Sequence, residues 1–250
     1  MVRRDELLAY LDGLLETARF RDHAPNGLQV EGAATITKLV SGVTASRALV
    51  EAAVAAGADA LLVHHGYFWQ GEDPCVVGIK KARLAPLLAH DINLFAYHLP
   101  LDAHEIYGNN AQLAVQLELI VTGRFGPEPA LAMCGELSEP LSMEAFARRI
   151  EHALARPPLC VNGGEHLIRR VGWCTGAAQK YLEAAAALGL DAYISGEISE
   201  HTVHAARELG IHFFAAGHHA TERYGVAALG QHVAQRYAIE HLHIDLDNPA

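Results

Sequence analysis

The sequence predicts an α/β fold of two similar three-layer lobes related by an internal repeat. Three observations carry that reading. Short, unbroken apolar runs alternate with alanine- and leucine-rich stretches of helical length, the pattern of sheets covered by helices on both faces. The order of these segments occurs twice along the chain. Histidines and carboxylates gather at the ends of apolar runs, where open α/β sheets place their ligands.

The elements follow in order. Leu7, Leu8, Leu11, Leu14 and Leu15 mark one face of an N-terminal amphipathic helix. A polar loop through Pro25-Asn26-Gly27 comes next. Apolar runs predict strands over Lys38–Val43, Ala60–Val63, Asn93–Tyr97, Leu131–Glu136, Val171–Cys174, Asp191–Ser195, Ile211–Ala216 and Glu240–Ile244. Helices are expected over Ser46–Ala56, Ile79–Ala89, Asn110–Leu117, Met143–Leu154, Gln179–Leu188, Glu200–Leu209 and Thr221–Arg236. The stretch Gly123 to Pro129 reads as a loop between lobes. It puts the first lobe at residues 1–125 and the second at 126–250, the C-terminal segment being able to pack back on the first.

The repeat is explicit. Sliding the chain by 132 positions lays Val43–His65 over Thr175–Glu197 and matches Glu51 with Glu183, Gly57 with Gly189 and Asp59 with Asp191. A slide of 120 lays His98 and Asp102 over His218 and Glu222. The expected consequence is a pseudo-twofold arrangement, with strand ends from both halves facing one cleft that holds a metal site.

Bulk composition narrows the function. At 250 residues and 51% hydrophobic content the chain can bury a sizeable core. A formal net charge of −10 argues against nucleic acid or an anionic membrane as main partner. No stretch approaches the roughly 20 apolar residues of a membrane span, and Met1-Val-Arg-Arg-Asp-Glu is no signal peptide, so a cytoplasmic location is expected. Cys75, Cys134, Cys160 and Cys174 lie far apart and read mostly as small buried hydrophobes.

Histidine is the compositional outlier, at 16 residues. His64, His65, Asp102, His218 and Glu222 are the candidate ligands of a binuclear centre, because two divalent ions ~3.5–4 Å apart need several nitrogen and oxygen donors. Successive strand residues point to opposite faces, so His64 and His65 can serve together only where a strand ends; Gly66, tolerant of positive φ, permits the turn. Pro100 argues that His98 and Asp102 lie on a loop rather than a helical face, with His98 a ligand or a supporting residue. Glu197, opposite His65 in the repeat, is a candidate general base or a carboxylate supporting a ligand. His152, His166, His232, His241 and His243 read as structural; His201 and His204, three apart on one candidate helix, suit a site or an exposed face equally. Tyr67, Phe68 and Trp69 suit either stacking on a planar ring or ordinary packing. Nitrogen and oxygen ligands suit zinc, iron or manganese.

At these residues the chain resembles the Nif-three-like family, also called GTP cyclohydrolase 1 type 2 or dinuclear-metal-centre hexameric proteins. The matching motifs are Gly27-Leu-Gln-Val-Glu-Gly, His64-His-Gly-Tyr-Phe-Trp, Tyr97-His-Leu-Pro-Leu-Asp-Ala-His104, Ser195-Gly-Glu-Ile-Ser-Glu and Ala216-Gly-His-His-Ala-Thr-Glu-Arg-Tyr-Gly225. The resemblance implies two divalent metal ions on His64, His65, Asp102, His218 and Glu222, with Glu222 bridging. It implies the short bacterial form and a homohexamer built as a trimer of dimers. It also implies a metal-dependent hydrolase opening the ring of a nucleotide such as GTP. A different class stays open beside it, a non-catalytic metal-binding assembly that stores, delivers or senses metal or acts through partners.

Overall fold

The computed structural model describes residues 1–250. In chain order its elements are β1 (Val2–Arg3), α1 (Arg4–Leu14), β2 (Gly27–Val30), β3 (Thr35–Ile36), β4 (Lys38–Thr44), α2 (Arg47–Ala55), β5 (Ala60–His65), α3 (Gly78–Ala89), β6 (Asn93–Ala96), α4 (Leu99–Ala103), α5 (Asn109–Gln116) and β7 (Ile120–Phe125). There follow β8 (Ala132–Leu141), α6 (Met143–Leu154), β9 (Leu159–Val161), β10 (Ile168–Cys174), α7 (Leu182–Ala187), β11 (Ala192–Ser195), α8 (Glu200–Leu209), β12 (His212–Ala215), α9 (His218–Tyr237) and β13 (Glu240–His243). The α/β class expected from the sequence is the class observed.

Two compact units divide the chain: Met1–Gly108 with Gly225–Asp247, and Asn109–Tyr224 with Asn248–Ala250. The expected boundary at 125/126 therefore falls inside the second unit. There β7 and β8 pair antiparallel, with Phe125 opposite Ala132, so Gly123–Pro129 forms the end of β7 and the hairpin turn after it rather than a loop between lobes.

In the first unit the sheet runs β13-β4-β5-β6-β2. Its strands are parallel except β2, which lies antiparallel on β6. Alternation along the strands builds a core on each face. Leu39, Leu62 and Phe95 pack with Leu7, Leu11, Val226 and Leu229 of α1 and α9. Val40, Leu61, Val63 and Leu94 pack with Leu49, Val50, Leu84 and Leu87 of α2 and α3. Each such buried side chain contributes about 1.5–3 kcal/mol relative to exposure, which is what holds the strand ends still.

The second unit repeats the plan. Its sheet runs β7-β8-β10-β11-β12-β9, with β10, β11 and β12 parallel and β9 antiparallel on β12. Val171, Trp173, Ile194 and Phe214 pack with Phe146, Ile150 and Leu113 on one face. Tyr193 and Phe213 pack with Leu182, Ala185 and Ala206 on the other.

The duplication extends to individual hydrogen bonds. Asp59 Oδ2 accepts from the backbone N–H of Thr37 and Lys38 at 2.7 and 3.0 Å. Asp191 Oδ2 accepts from those of Arg169 and Arg170 at 2.9 and 2.7 Å, each 132 positions later. Gly32 N donates to Asn93 Oδ1, and Gly163 N to His212 Nδ1. A Cβ on either glycine would lie 2.2 or 2.4 Å from the carbonyl oxygen of Asp91 or Ile211. The sequence reading missed β2, β7 and β9 because short strands at or near a sheet edge lack a continuous apolar run. Their exposure shows why: Ile120 and Val121 are 58% and 46% exposed, and Leu159 52%.

Because the two aspartates do the same work, Asp59→Ala and Asp191→Ala should each destabilise the fold by about 1–3 kcal/mol, the cost of stranding their backbone donors. Urea unfolding measures this; a change below about 0.5 kcal/mol at both positions would refute the clamp.

Candidate metal centre

In the first unit β5 ends at His65 and β6 at Ala96, delivering His64, His65 and His98 to one end of the sheet. His64 is fully buried and its Nδ1 lies 2.9 Å from the Tyr97 carbonyl oxygen. His65 Nδ1 lies 3.0 Å from Thr44 Oγ1. The two rings, adjacent in sequence, stand 4.4 Å apart at their centroids. Gly66 serves a different purpose from the one expected. Its φ is not positive; instead a Cβ there would sit 2.2 Å from Gln29 Oε1 and 2.6 Å from Ala96 Cβ. Close approach, not backbone freedom, requires glycine.

Asp102 also departs from expectation. Pro100 starts a helix rather than preventing one, since a proline in the first turn has no intrahelical N–H to lose. His98 is the N-cap residue of α4, and Asp102 N–H donates to His98 O at 3.1 Å. One helical turn thus sets Asp102 near the histidines, with Oδ1 3.5 Å from His64 Nε2. His98 is oriented by Asp22, whose Oδ1 lies 2.7 Å from its Nδ1. Burial alone would raise the Asp22 carboxyl. Hydrogen bonding and charge from His98, with Asn26 and the Leu99 N–H, overcome that and hold it at about 2. His64, His65 and His98 each offer one donor atom, all within 4.8 Å of one another.

In the second unit α9 begins at His218, three residues before the expected start at Thr221. His218 and Glu222 therefore span its first turn, with Nε2 and Oε2 3.2 Å apart. Glu197, just after β11, has Oε1 2.7 Å from His218 Nδ1. Burial lowers the His218 pKa, but Glu222 and then Glu197 outweigh it and raise it to about 9. Gly176, at φ +66, clears the space for the carboxylate: a Cβ there would lie 2.2 Å from Glu222 Oε1.

A common pattern emerges. His64, His65, His98 and His218 each have Nδ1 against an oxygen: a carbonyl, a hydroxyl and two carboxylates. That is how metal-binding imidazoles are held, tautomer and ring plane fixed from behind while Nε2 faces the ion. His64 Nε2 and His218 Nε2 each lie beside a carboxylate oxygen. The residues present fit a metal on nitrogen and oxygen ligands.

Sequence reasoning missed Asp22, Asn26 and Gly176. Asp22 and Asn26 sit in the polar loop before β2, where the only signal was the Pro25-Asn26-Gly27 turn. Several other histidines have structural partners. His232 lies between Tyr10 and Tyr107, with a hydroxyl on each ring nitrogen at 2.5 and 2.8 Å. His241 and His243 share Ser41 Oγ, and His166 packs on His212. His204 lies on the exposed side of α8 beside Glu200. The cysteines correct the expectation of burial: all four are free thiols and only Cys174 is buried, Cys75 being exposed.

Fold and donor set together define an α/β protein with His/Asp/Glu groups able to hold a metal ion. Comparison gives the family. The profile of Duf34/NIF3 (NGG1p interacting factor 3) matches residues 2–249, and the chain belongs to that family. A Pseudomonas aeruginosa protein called GTP cyclohydrolase 1 type 2 homolog is 57% identical over 246 residues, covering 98% of this chain and 97% of that protein. One of the same name from Escherichia coli K12 is 50% identical over 250 residues and all of both chains. Among solved structures, the protein ybgI, described as of unknown function, superposes with a TM-score of 0.97 at 50% identity over the whole of both chains. TTHA1606 from Thermus thermophilus does so at 0.90 and 33% identity, again over the whole of both. No helix is long and apolar enough to cross a membrane.

Gly176→Ala should displace the Glu222 carboxylate. The expected outcome is lowered metal content, read by plasma mass spectrometry, with far-ultraviolet circular dichroism unchanged. Full metal content in that variant would show that Gly176 does not set the position of Glu222.

Proposed function

We propose that this chain binds two divalent metal ions through His64, His65, Asp102, His218 and Glu222, and is a metal-dependent hydrolase acting on a nucleotide or related ring. The observation that carries the reading is the oxygen partner behind Nδ1 of every candidate imidazole. Such a pair of ions would supply an activated water and polarise the bond it attacks. The protein's part is to hold the donors. Asp22 and Glu197 fix the rings of His98 and His218, and Glu197 acts here by orienting a ligand rather than as the base. The name shared by the relatives supports a purine nucleotide as substrate. The resemblance supports a cytoplasmic homohexamer, a trimer of dimers, which sedimentation velocity tests directly.

A second reading, an assembly that stores, delivers or senses metal without turnover, is favoured by one observation. The Glu197 carboxylate, the base the sequence suggested, is committed to His218. Glu197→Gln separates the two readings. Nucleotide hydrolysis by the metal-loaded wild type, slowed in the variant together with weakened metal binding, favours catalysis. Metal affinity lowered by about 10–100-fold, with no nucleotide turned over by the wild type, favours the second reading.

The principal test is metal per chain on protein purified without added metal or chelator. About two ions in the wild type, with losses in His218→Ala and Glu222→Ala, is the expected result. No metal bound, and none regained from zinc, iron or manganese, would end the proposal. A pH dependence follows as well. The raised His218 pKa means its proton stabilises the metal-free fold fully below pH ~6.5, a contribution lost as pH climbs through about 9. Metal must displace that proton, so calorimetry near pH ~7.5 in buffers of different ionisation enthalpy should show proton release, and affinity should rise with pH toward about 9. Uptake without proton release would contradict this picture of His218.

A further inference from the structure

The loop Gly66–Trp69, directly after His65, is held far more firmly than a surface turn requires. Gln29 brackets Tyr67, its Oε1 accepting from Tyr67 N at 2.7 Å and its Nε2 donating to Tyr67 O at 3.1 Å. The Tyr67 ring is buried and its hydroxyl donates to Ala45 O at 2.7 Å, so this ring packs and does not face a ligand. Phe68 adopts φ +64, a left-handed conformation that an aromatic residue takes only under constraint, with Lys80 Nζ 5.8 Å from its ring centre. The result of these restraints is the placement of Trp69. Its indole N–H donates to Gly66 O at 3.2 Å. Its ring meets His98 edge-on at 5.0 Å and His65 at 6.1 Å.

We propose that Trp69 is the aromatic wall of the substrate pocket and stacks on the planar ring of the substrate, with the Gly66–Trp69 loop and Gln29 as its rigid mount. This deepens the hydrolase reading and rests on it. A half-buried indole beside two candidate ligands lies within reach of anything those ligands address. Stacking of this kind favours flat heterocycles over ribose or phosphate alone, and it tolerates different bases. Trp69 thereby selects a ring-bearing substrate class without contributing to metal ligation.

Trp69 and Trp173 are the chain's tryptophans, and Trp173 is fully buried. In Trp173→Phe protein loaded with metal, fluorescence therefore reports Trp69. Guanosine and GTP should quench it saturably, and ribose 5-phosphate should not. Calorimetry on Trp69→Ala should show purine binding weakened about tenfold or more, with metal content equal to wild type. Should Trp173→Phe fail to fold, the calorimetric arm on Trp69→Ala alone decides. Purine affinity unchanged by Trp69→Ala, quenching by ribose 5-phosphate equal to that by guanosine, or no purine binding by metal-loaded wild type would overturn the proposal while leaving the metal site standing. Metal missing from the wild type would instead signal failure of the underlying reading.

Discussion

Everything in the candidate centre depends on imidazoles being held from behind. A histidine can present either nitrogen, and its ring can turn, so a donor at a strand end is useful only if something fixes both. Here a carbonyl, a hydroxyl and two carboxylates do so at 2.7–3.0 Å. The partners come from different places: the end of β6, β4, the loop before β2 and the end of β11. Such restraint works only on strands that are themselves anchored. The layers of Leu39, Leu62 and Phe95, and of Trp173, Ile194 and Phe214, anchor the strands that deliver each donor.

The duplicated architecture explains why donors occur twice at comparable places. Asp59 and Asp191 fasten the starts of two neighbouring parallel strands together in the same way, and Gly32 and Gly163 admit the same close backbone approach. On that shared frame His98 and His218 occupy equivalent positions, each followed one turn later by an acid. The halves then diverge: where the first carries His65, the second carries Glu197, which supports a neighbouring ring instead of offering nitrogen. One position thus serves as a donor in one half and as the orienter of a donor in the other.

Much of this was legible in the sequence. Buried parallel strands announce themselves as apolar runs, so β4, β5, β6, β10, β11 and β12 were visible with their order. The histidines and acids at their ends were visible for the same reason. What escaped was set by tertiary contact. Asp22 reaches His98 across 76 positions, and no local pattern encodes that. Gly66 and Gly176 owe their identity to side chains that approach from elsewhere. Pro100 reads as a helix breaker by residue type, yet its place in the first turn makes it a helix starter. The edge strands β7 and β9 carry exposed apolar residues in no clear alternation, and their pairing is dictated by the neighbour rather than by themselves.

The carboxylates around the imidazoles also fix an electrical balance. Asp22, Asp102, Glu197 and Glu222 each contact one of the candidate histidines. Ionised, they carry together the charge that two divalent cations would neutralise. A centre loaded as proposed is then close to neutral, set in a chain of formal charge −10. An anionic nucleotide approaching it gains little from long-range attraction and must be captured at short range, by open coordination positions and by surfaces that fit its ring. Recognition in such a centre is a matter of contact chemistry, and added salt, by screening the remaining negative charge of the chain, should speed the approach of an anionic ligand rather than slow it.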